Sequence, residues 1–271
     1  MKPVINLGPA GSPTGNTLDG IAKVKELELQ SMEVQFTHGI AMGIELAKQI
    51  GETAKAHGIE LSVHAPYYIN LASEEKEKIK ASKLRILESC RRGHYFGTRR
   101  PAKIIFHPAY FGKRSKEEAF AMAKQEIEDM QDIIKKNNWN TILCPETTGK
   151  HSALGSLDEI IALAKDTKCS MCIDLAHLYA RNNGKIDYDD VLGKAMTAKH
   201  IKHMHFHFSG INYSAKGELN HLVLDHNPDF KPFAQLLLKK KQDCTIISES
   251  PITWKDSLNM KRIFENLGHK F

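Results

Sequence analysis

Short apolar, β-branched runs alternate along this chain with longer stretches of helical periodicity. The runs that read as strands are VINLG (4–8), MEVQF (32–36), LSVHA (61–65), KIIFH (103–107), TILCPE (141–146), SMCIDL (170–175), IKHMHFHF (201–208) and TIISES (245–250). Between them, apolar residues recur at i, i+3, i+4 and i+7, the spacing of one helix face. In the stretch 74–97 the spacing puts Ile79, Leu84, Leu87 and Cys90 on such a face. The stretch 115–137 opens on Ser115 with Glu118 three residues later, the pattern of a capping box. Ser156 and Glu159 repeat that device at the start of 156–166, and a last helix is expected within 255–266.

Strands that alternate with helices indicate βαβ units and a parallel sheet. Eight repeats predict a (β/α)₈ TIM barrel, with residues 1–271 forming one domain. A doubly wound open sheet is the alternative. The segment GPAGSPTGN after the first strand lacks the G-x-G-x-x-G spacing of a dinucleotide site.

A length of 271 residues is ample for a full core, and 41% hydrophobic with 26% charged residues is ordinary for a globular protein. No run approaches the ~18 apolar residues of a membrane span. The start, MKPVINLGPAGSP, has no apolar signal-peptide core, so a cytoplasmic protein without membrane contact is expected. Five scattered cysteines (Cys90, Cys144, Cys169, Cys172, Cys244) form no disulfide framework. Cys169 and Cys172 make a CxxC without a second pair, and packing is the expected role. A net charge of +6 is compatible with a polyanionic partner and equally with solvated surface.

The placement of the fourteen histidines matters more than their number. In a barrel of this kind the active site lies at the C-terminal ends of the strands. Strand three ends in His64, strand four in His107, strand five in Glu146 and strand six in Asp174, with His177 one turn on. Strand seven carries His203, His205 and His207, and strand eight Glu249. Strands one and two end without a ligand-type residue, in Gly8 and Phe36. A single strand histidine is ordinarily a hydrogen-bonded core residue. Six consecutive strands that deliver His, Asp or Glu to one rim form a ligand set for zinc or manganese, large enough for two or three ions.

Period-two alternation places His203, His205 and His207 on one face of strand seven and Met204, Phe206 and Phe208 on the other. The apolar set suits the helix layer, so the histidines look inward, with His205 and His207 nearest the rim and His203 deeper. In the loop 209–230, Glu218 and His221 lie three apart, and Asp225 and His226 are adjacent.

The ordered segments HAPYYINL (64–71), FHPAYF (106–111), PETTG (145–149), CIDLAH (172–177), MHFHFSG (204–210) and SESP (248–251) resemble the endonuclease IV family of apurinic/apyrimidinic endonucleases, among the xylose isomerase-like TIM barrels. The match runs from about residue 60 to the C-terminus. The resemblance implies a (β/α)₈ barrel with a trinuclear zinc centre. It implies that His64 and His107 bind one zinc and that Glu146 bridges to a second, completed by Asp174, His205 and Glu249. His177 belongs to a third zinc, with His221 as its histidine and Glu218 in place of the family's aspartate. Tyr67, Tyr68 and Asn70 fall in the motif whose residues press into DNA at the lesion.

The implied activity is metal-assisted hydrolysis of the phosphodiester 5′ to an abasic site in duplex DNA during base excision repair, with Glu146 at the catalytic centre, by a monomeric enzyme. Candidates for the phosphate contacts are Lys113, Arg114, Arg181 and Lys185, with plain solvated surface charge as the alternative for each. Two departures stand out. No histidine occurs in NLGPAGSP, and FTHGIAMGIE (36–45), after strand two, lacks the Arg, Lys or Trp of a DNA-gripping loop. The rival expectation is a metal-dependent sugar-phosphate isomerase or epimerase with one ion. A third reading is a non-catalytic nucleic-acid-binding module.

Overall fold

The computed structural model describes residues 2–271. Eight parallel strands form its centre: β1 (Ile5–Pro9), β2 (Ser31–Gln35), β3 (Glu60–His64), β4 (Ala102–Phe106), β5 (Thr141–Pro145), β6 (Cys172–Asp174), β7 (Met204–Phe208) and β8 (Cys244–Ser248). They pair as two arcs, β2-β3-β4-β5 and β6-β7-β8-β1. Single bridges from Ala10 to Glu33 and from Glu146 to Cys172 join the arcs at both seams. At the first seam Gly8 lies against the Ser31 carbonyl, where any Cβ would collide. The expected (β/α)₈ barrel is the observed fold.

Among the described residues nine helices surround the strands: α1 (Thr17–Glu26), α2 (Ile44–His57), α3 (Lys76–Gly93), α4 (Lys116–Lys136), α5 (Leu157–Thr167), α6 (Leu175–Arg181), α7 (Tyr188–Ala195), α8 (Phe230–Lys240) and α9 (Thr253–Asn266). Both expected capping boxes form, Ser115 with Glu118 and Ser156 with Glu159. One expectation for α3 fails: Leu84 is 60% exposed, and Ile86 is buried instead. The stripe through Ile79, Ile86, Cys90 and Gly93 keeps the helical period, and Leu84 falls off it.

The strand expected at 170–175 shrinks to three residues for a local reason. Asp174 ends β6 and also caps α6, its Oδ1 accepting from the His177 N–H at 2.7 Å. That bond satisfies one of the open donors of the first helical turn. The strand expected at 201–208 likewise starts only at Met204.

The main core lies between barrel and helices. On β7 the alternation holds: Phe206 packs edge-on against Phe233 and Phe208 against Phe230, both from α8. All five cysteines are free and buried, and Cys144 and Cys172 pack with Ile105 apart from the main core. Over the C-terminal ends stand a ribbon pairing Ala109–Tyr110 with Ala153–Leu154 and a hairpin of Gly210–Ser214 with Gly217–Leu222. Among the described residues no helix is long and apolar enough to cross a membrane.

Candidate metal centre

Glu146 follows β5 directly and is fully buried. Its Oε2 lies 3.1 Å from His107 Nε2 and 3.3 Å from His64 Nε2. Its Oε1 lies 3.0 Å from His207 Nδ1 and 3.5 Å from His177 Nδ1. Strand ends deliver these groups, and the adjoining backbone aims them. His64 Nδ1 is 2.8 Å from the Ala65 carbonyl, which turns Nε2 toward Glu146. His177 Nδ1 is 3.0 Å from the Thr147 carbonyl.

Three ligand groups form at the rim, and Cys172, His205 and His207 make a fourth one layer below. His64, His107 and Glu146 form one, and Glu146, Asp174, His207 and Glu249 a second, with Glu146 common to both. Asp174, His177, His221 and Glu249 form a third. Within each group one ligand atom per residue lies within 4.8 Å of all the others. Glu218, on the hairpin after β7, adds a carboxylate 3.6 Å from His177 Nε2. His221 is held from behind, its Nδ1 2.7 Å from Ser209 Oγ, and its Nε2 lies 3.7 Å from Glu249.

Whether the residues suit metal ions is answered by oxygens that have no partner. Glu146 Oε2, Asp174 Oδ2 and Glu218 Oε2 are buried and accept no hydrogen bond. Orphaned carboxylate oxygens are costly to bury, and each points at imidazole nitrogens rather than at donors of fixed geometry. Nitrogen and oxygen donors in this mixture suit a divalent cation such as zinc or manganese. The residues therefore fit metal ions, held in groups that share Glu146, Asp174 and Glu249.

Electrostatics fit the same reading. Burial opposes ionisation of Glu146, yet His207 and His107 outweigh it and hold the carboxyl well below its usual range. Burial likewise opposes a charge on Glu249, and His207 brings its carboxyl down to about 2. For Asp174 burial wins, reinforced by Glu249 and Glu146, and its carboxyl rises to about 6. Burial disfavours a protonated His64, but Glu146, Glu33 and Glu249 raise its ring to about 9. Without a metal, protons do part of the neutralising here.

The ligand expected from β7 is displaced by one pleat. His205 does not join Glu146, Asp174 and Glu249; His207 does. The register of β6 on β7 pairs Asp174 with His207 and Cys172 with His205, so His205 sits one layer down. Burial lowers its ring to about 4 even though Nε2 lies 3.1 Å from Glu33. His203 lies at the opposite end of β7, as expected, with Nε2 2.9 Å from Thr245 Oγ1. Glu33, on β2, is a residue the strand-end reading misses. It is fully buried inside the barrel against His205 and His207. A glutamate between the apolar Met32 and Val34 of a buried strand was the available signal.

Above the centre opens a hollow of about 390 Å³, walled by Tyr67, Thr37, Leu219, Asn220 and Thr253. No Lys or Arg lines it. Tyr67 and Tyr68 stand at the rim, 53% and 75% exposed, and Tyr67 meets the His64 ring edge-on at 5.9 Å. Asn70 turns its side-chain oxygen inward, to the N–H groups of Ala72 and Tyr110. Arg181 is buried and gives its guanidinium to the carbonyls of Thr148, Lys150 and Ala153. It is a brace under the rim and not a phosphate contact. Arg114 is spent similarly on the carbonyls of Ala72 and Ser73. Lys113 and Lys185 are exposed.

Comparison with known proteins places this geometry in a lineage. Residues 21–265 match the family described as Xylose isomerase-like TIM barrel. The chain is 34% identical to an uncharacterized protein of Methanocaldococcus jannaschii, MJ0133, over 96% of this chain and 97% of that one. It is 28% identical to a probable endonuclease 4 of Staphylococcus saprophyticus, over 78% of this chain and 73% of the other. Among solved structures, a D-tagatose 3-epimerase-like protein superposes with a TM-score of 0.72 at 17% identity, covering 98% and 96% of the two chains. SacUVDE superposes with a TM-score of 0.71 at 14% identity, covering 93% and 85%. These two likenesses are of fold. The match over nearly the whole length, on a barrel with ligands at its C-terminal rim, means that the chain belongs to the Xylose isomerase-like TIM barrel family.

Proposed function

We propose that this protein is a zinc-dependent hydrolase of the endonuclease IV kind, cleaving the DNA phosphodiester 5′ to abasic sites. The observation that carries the reading is Glu146, whose two oxygens face separate ligand groups while His177, Glu218 and His221 supply a third. One ion needs no such set. Zinc ions held there would supply Lewis acidity toward the phosphoryl oxygens and acidify a bound water.

The chain's own residues provide placement. Glu146 spans the first two groups. His64 and His177 are oriented by backbone carbonyls. The hollow has room for one sugar with its phosphate and not for a duplex. An abasic nucleotide must therefore leave the helix to enter, which it does at little stacking cost. Tyr67 and Tyr68, exposed at the rim, are placed to fill the gap it leaves. Relatives named as endonuclease 4 support the substrate class.

A second reading has its own support. The hollow lacks Lys and Arg, and Glu146, Asp174, His207 and Glu249 alone suffice for one ion. A metal-dependent isomerase or epimerase acting on a small sugar fits both facts. The experiment is a nicking assay on duplex DNA with one abasic-site analogue, using zinc-loaded protein and a Glu146→Gln control. Cleavage 5′ to the lesion that the control lacks supports the hydrolase. Intact DNA, with metal bound and a ketose turned over, supports the isomerase.

A further inference from the structure

We infer that Glu33 is a positioning residue for the metal centre: it holds the His207 ring so that Nδ1 is left to the ion shared with Glu146, Asp174 and Glu249. The inference rests on the metal-centre reading, which the hydrolase and the isomerase have in common.

Glu33 belongs to none of the ligand groups. It sits beneath them on β2, fully buried. Both its oxygens are engaged. Ser62 Oγ donates to Oε2 at 2.8 Å, and Gln35 Nε2 donates to Oε1 at 3.1 Å. His207 Nε2 lies 3.1 Å from Oε1, and His205 Nε2 lies 3.1 Å from Oε2. The carboxylate is thus clamped by four side chains from three strands and cannot follow a ring that turns away.

The consequence concerns which nitrogen carries the proton. An imidazole that donates Nε2–H to a carboxylate keeps its lone pair on Nδ1. His207 Nδ1 faces Glu146 Oε1 at 3.0 Å and Glu249 Oε1 at 3.3 Å, so the lone pair points into the ligand group. Without an acceptor under Nε2, the proton is free to sit on Nδ1. It would then bond to those carboxylates and compete with the ion. His207 Nε2 reaches both oxygens, Oε1 at 3.1 Å and Oε2 at 3.2 Å, and His205 shares Oε2, so the second buried histidine one layer down helps to hold the same carboxylate in place.

The test compares wild type with Glu33→Gln, which keeps the shape but removes one acceptor oxygen. Metal per chain is read by mass spectrometry, affinity by chelator competition, and ligand geometry by the visible spectrum of Co(II) in place of the native ion. Circular dichroism reports folding. The expected result is a folded variant whose affinity for one ion falls about 10–100-fold, with an altered Co(II) spectrum. A folded variant with wild-type affinity and spectrum overturns the inference and leaves the metal centre standing. A wild type that binds no metal overturns both. Should the variant not fold, ¹⁵N-histidine NMR of the loaded wild type decides, with His207 assigned through His207→Gln. Nε2–H with a metal-bound Nδ1 supports the inference, and the opposite tautomer overturns it.

Discussion

His177 Nε2 faces Glu218 Oε2 at 3.6 Å, across the gap between α6 and the hairpin that rises after β7. This pair ties a partly exposed hairpin to the buried His177 at the barrel rim. It works because two glycines allow the approach. Gly217 has φ +107°, and its Cβ position is taken by the Gly149 carbonyl. Gly149 in turn lies flush against the Glu218 carboxylate. A Gly149→Ala methyl would push Glu218 away from His177. The expected outcome is loss of one metal per chain, the others retained, at a stability cost of about 1–3 kcal/mol. Elemental analysis beside a thermal melt checks both.

Glu146 is expected to matter to two ions at once. Glu146→Gln should strip both groups it joins and lower hydrolysis about 1,000-fold or more, equal to about 4 kcal/mol of barrier. Metal content and single-turnover nicking measured on the same preparation check the coupling. Full metal content in the variant would contradict the bridging role.

His177→Ala separates the two functional readings. It removes a ligand of the third group and leaves Glu146, Asp174, His207 and Glu249 in place. A hydrolase that needs three ions should lose most of its rate, while an isomerase working with one should keep most of its turnover. Parallel assays on abasic DNA and on a ketose give the answer.

The metal-free protein should lose stability as pH rises. Burial disfavours the His64 cation, but Glu146, Glu33 and Glu249 lift its ring from 6.5 to about 9. His177 and His207 move the same way. The folded chain then binds more protons than the unfolded one between about 6.5 and 9, so its stability drops through that window. Bound ions require deprotonated rings, so their stabilisation grows with pH. Calorimetric Tm values for chelator-treated protein should therefore fall from pH 6.5 to 9, and those for loaded protein should not.

Arg181→Ala should behave as a structural change. The guanidinium bonds the buried carbonyls of Thr148 and Ala153 and the part-buried carbonyl of Lys150, and its removal orphans the buried two at a cost of about 2–4 kcal/mol. Tm should fall, while the salt dependence of DNA binding in the folded fraction stays as in wild type. A flatter salt slope would restore Arg181 as a phosphate contact.

Much of the barrel is legible along the chain because its signals are local. Alternation of strand runs with helical periodicity marks the eight units, and Ser115 with Glu118 and Ser156 with Glu159 mark two helix starts residue by residue. The barrel's habit of building sites at strand ends then singles out His64, His107, Glu146, Asp174 and Glu249 from their positions along the chain. Period two along β7 turns the histidines inward, since Phe206 and Phe208 need the helix layer.

What sequence alone determined is which residues lie on which face and near which end, because those depend on neighbours a few positions away. The tertiary structure decided which of them meet. His207 rather than His205 completes the second group because the β6–β7 register aligns it with Asp174, and register is a property of two strands. Glu33 joins from a strand with no ligand at its end because the barrel closes β2 across from β7, 172 residues away in sequence from His205. Arg181 is drawn under the rim for the same reason. Three carbonyls from the loop after β5 converge on it, and a buried guanidinium goes where unpaired acceptors are.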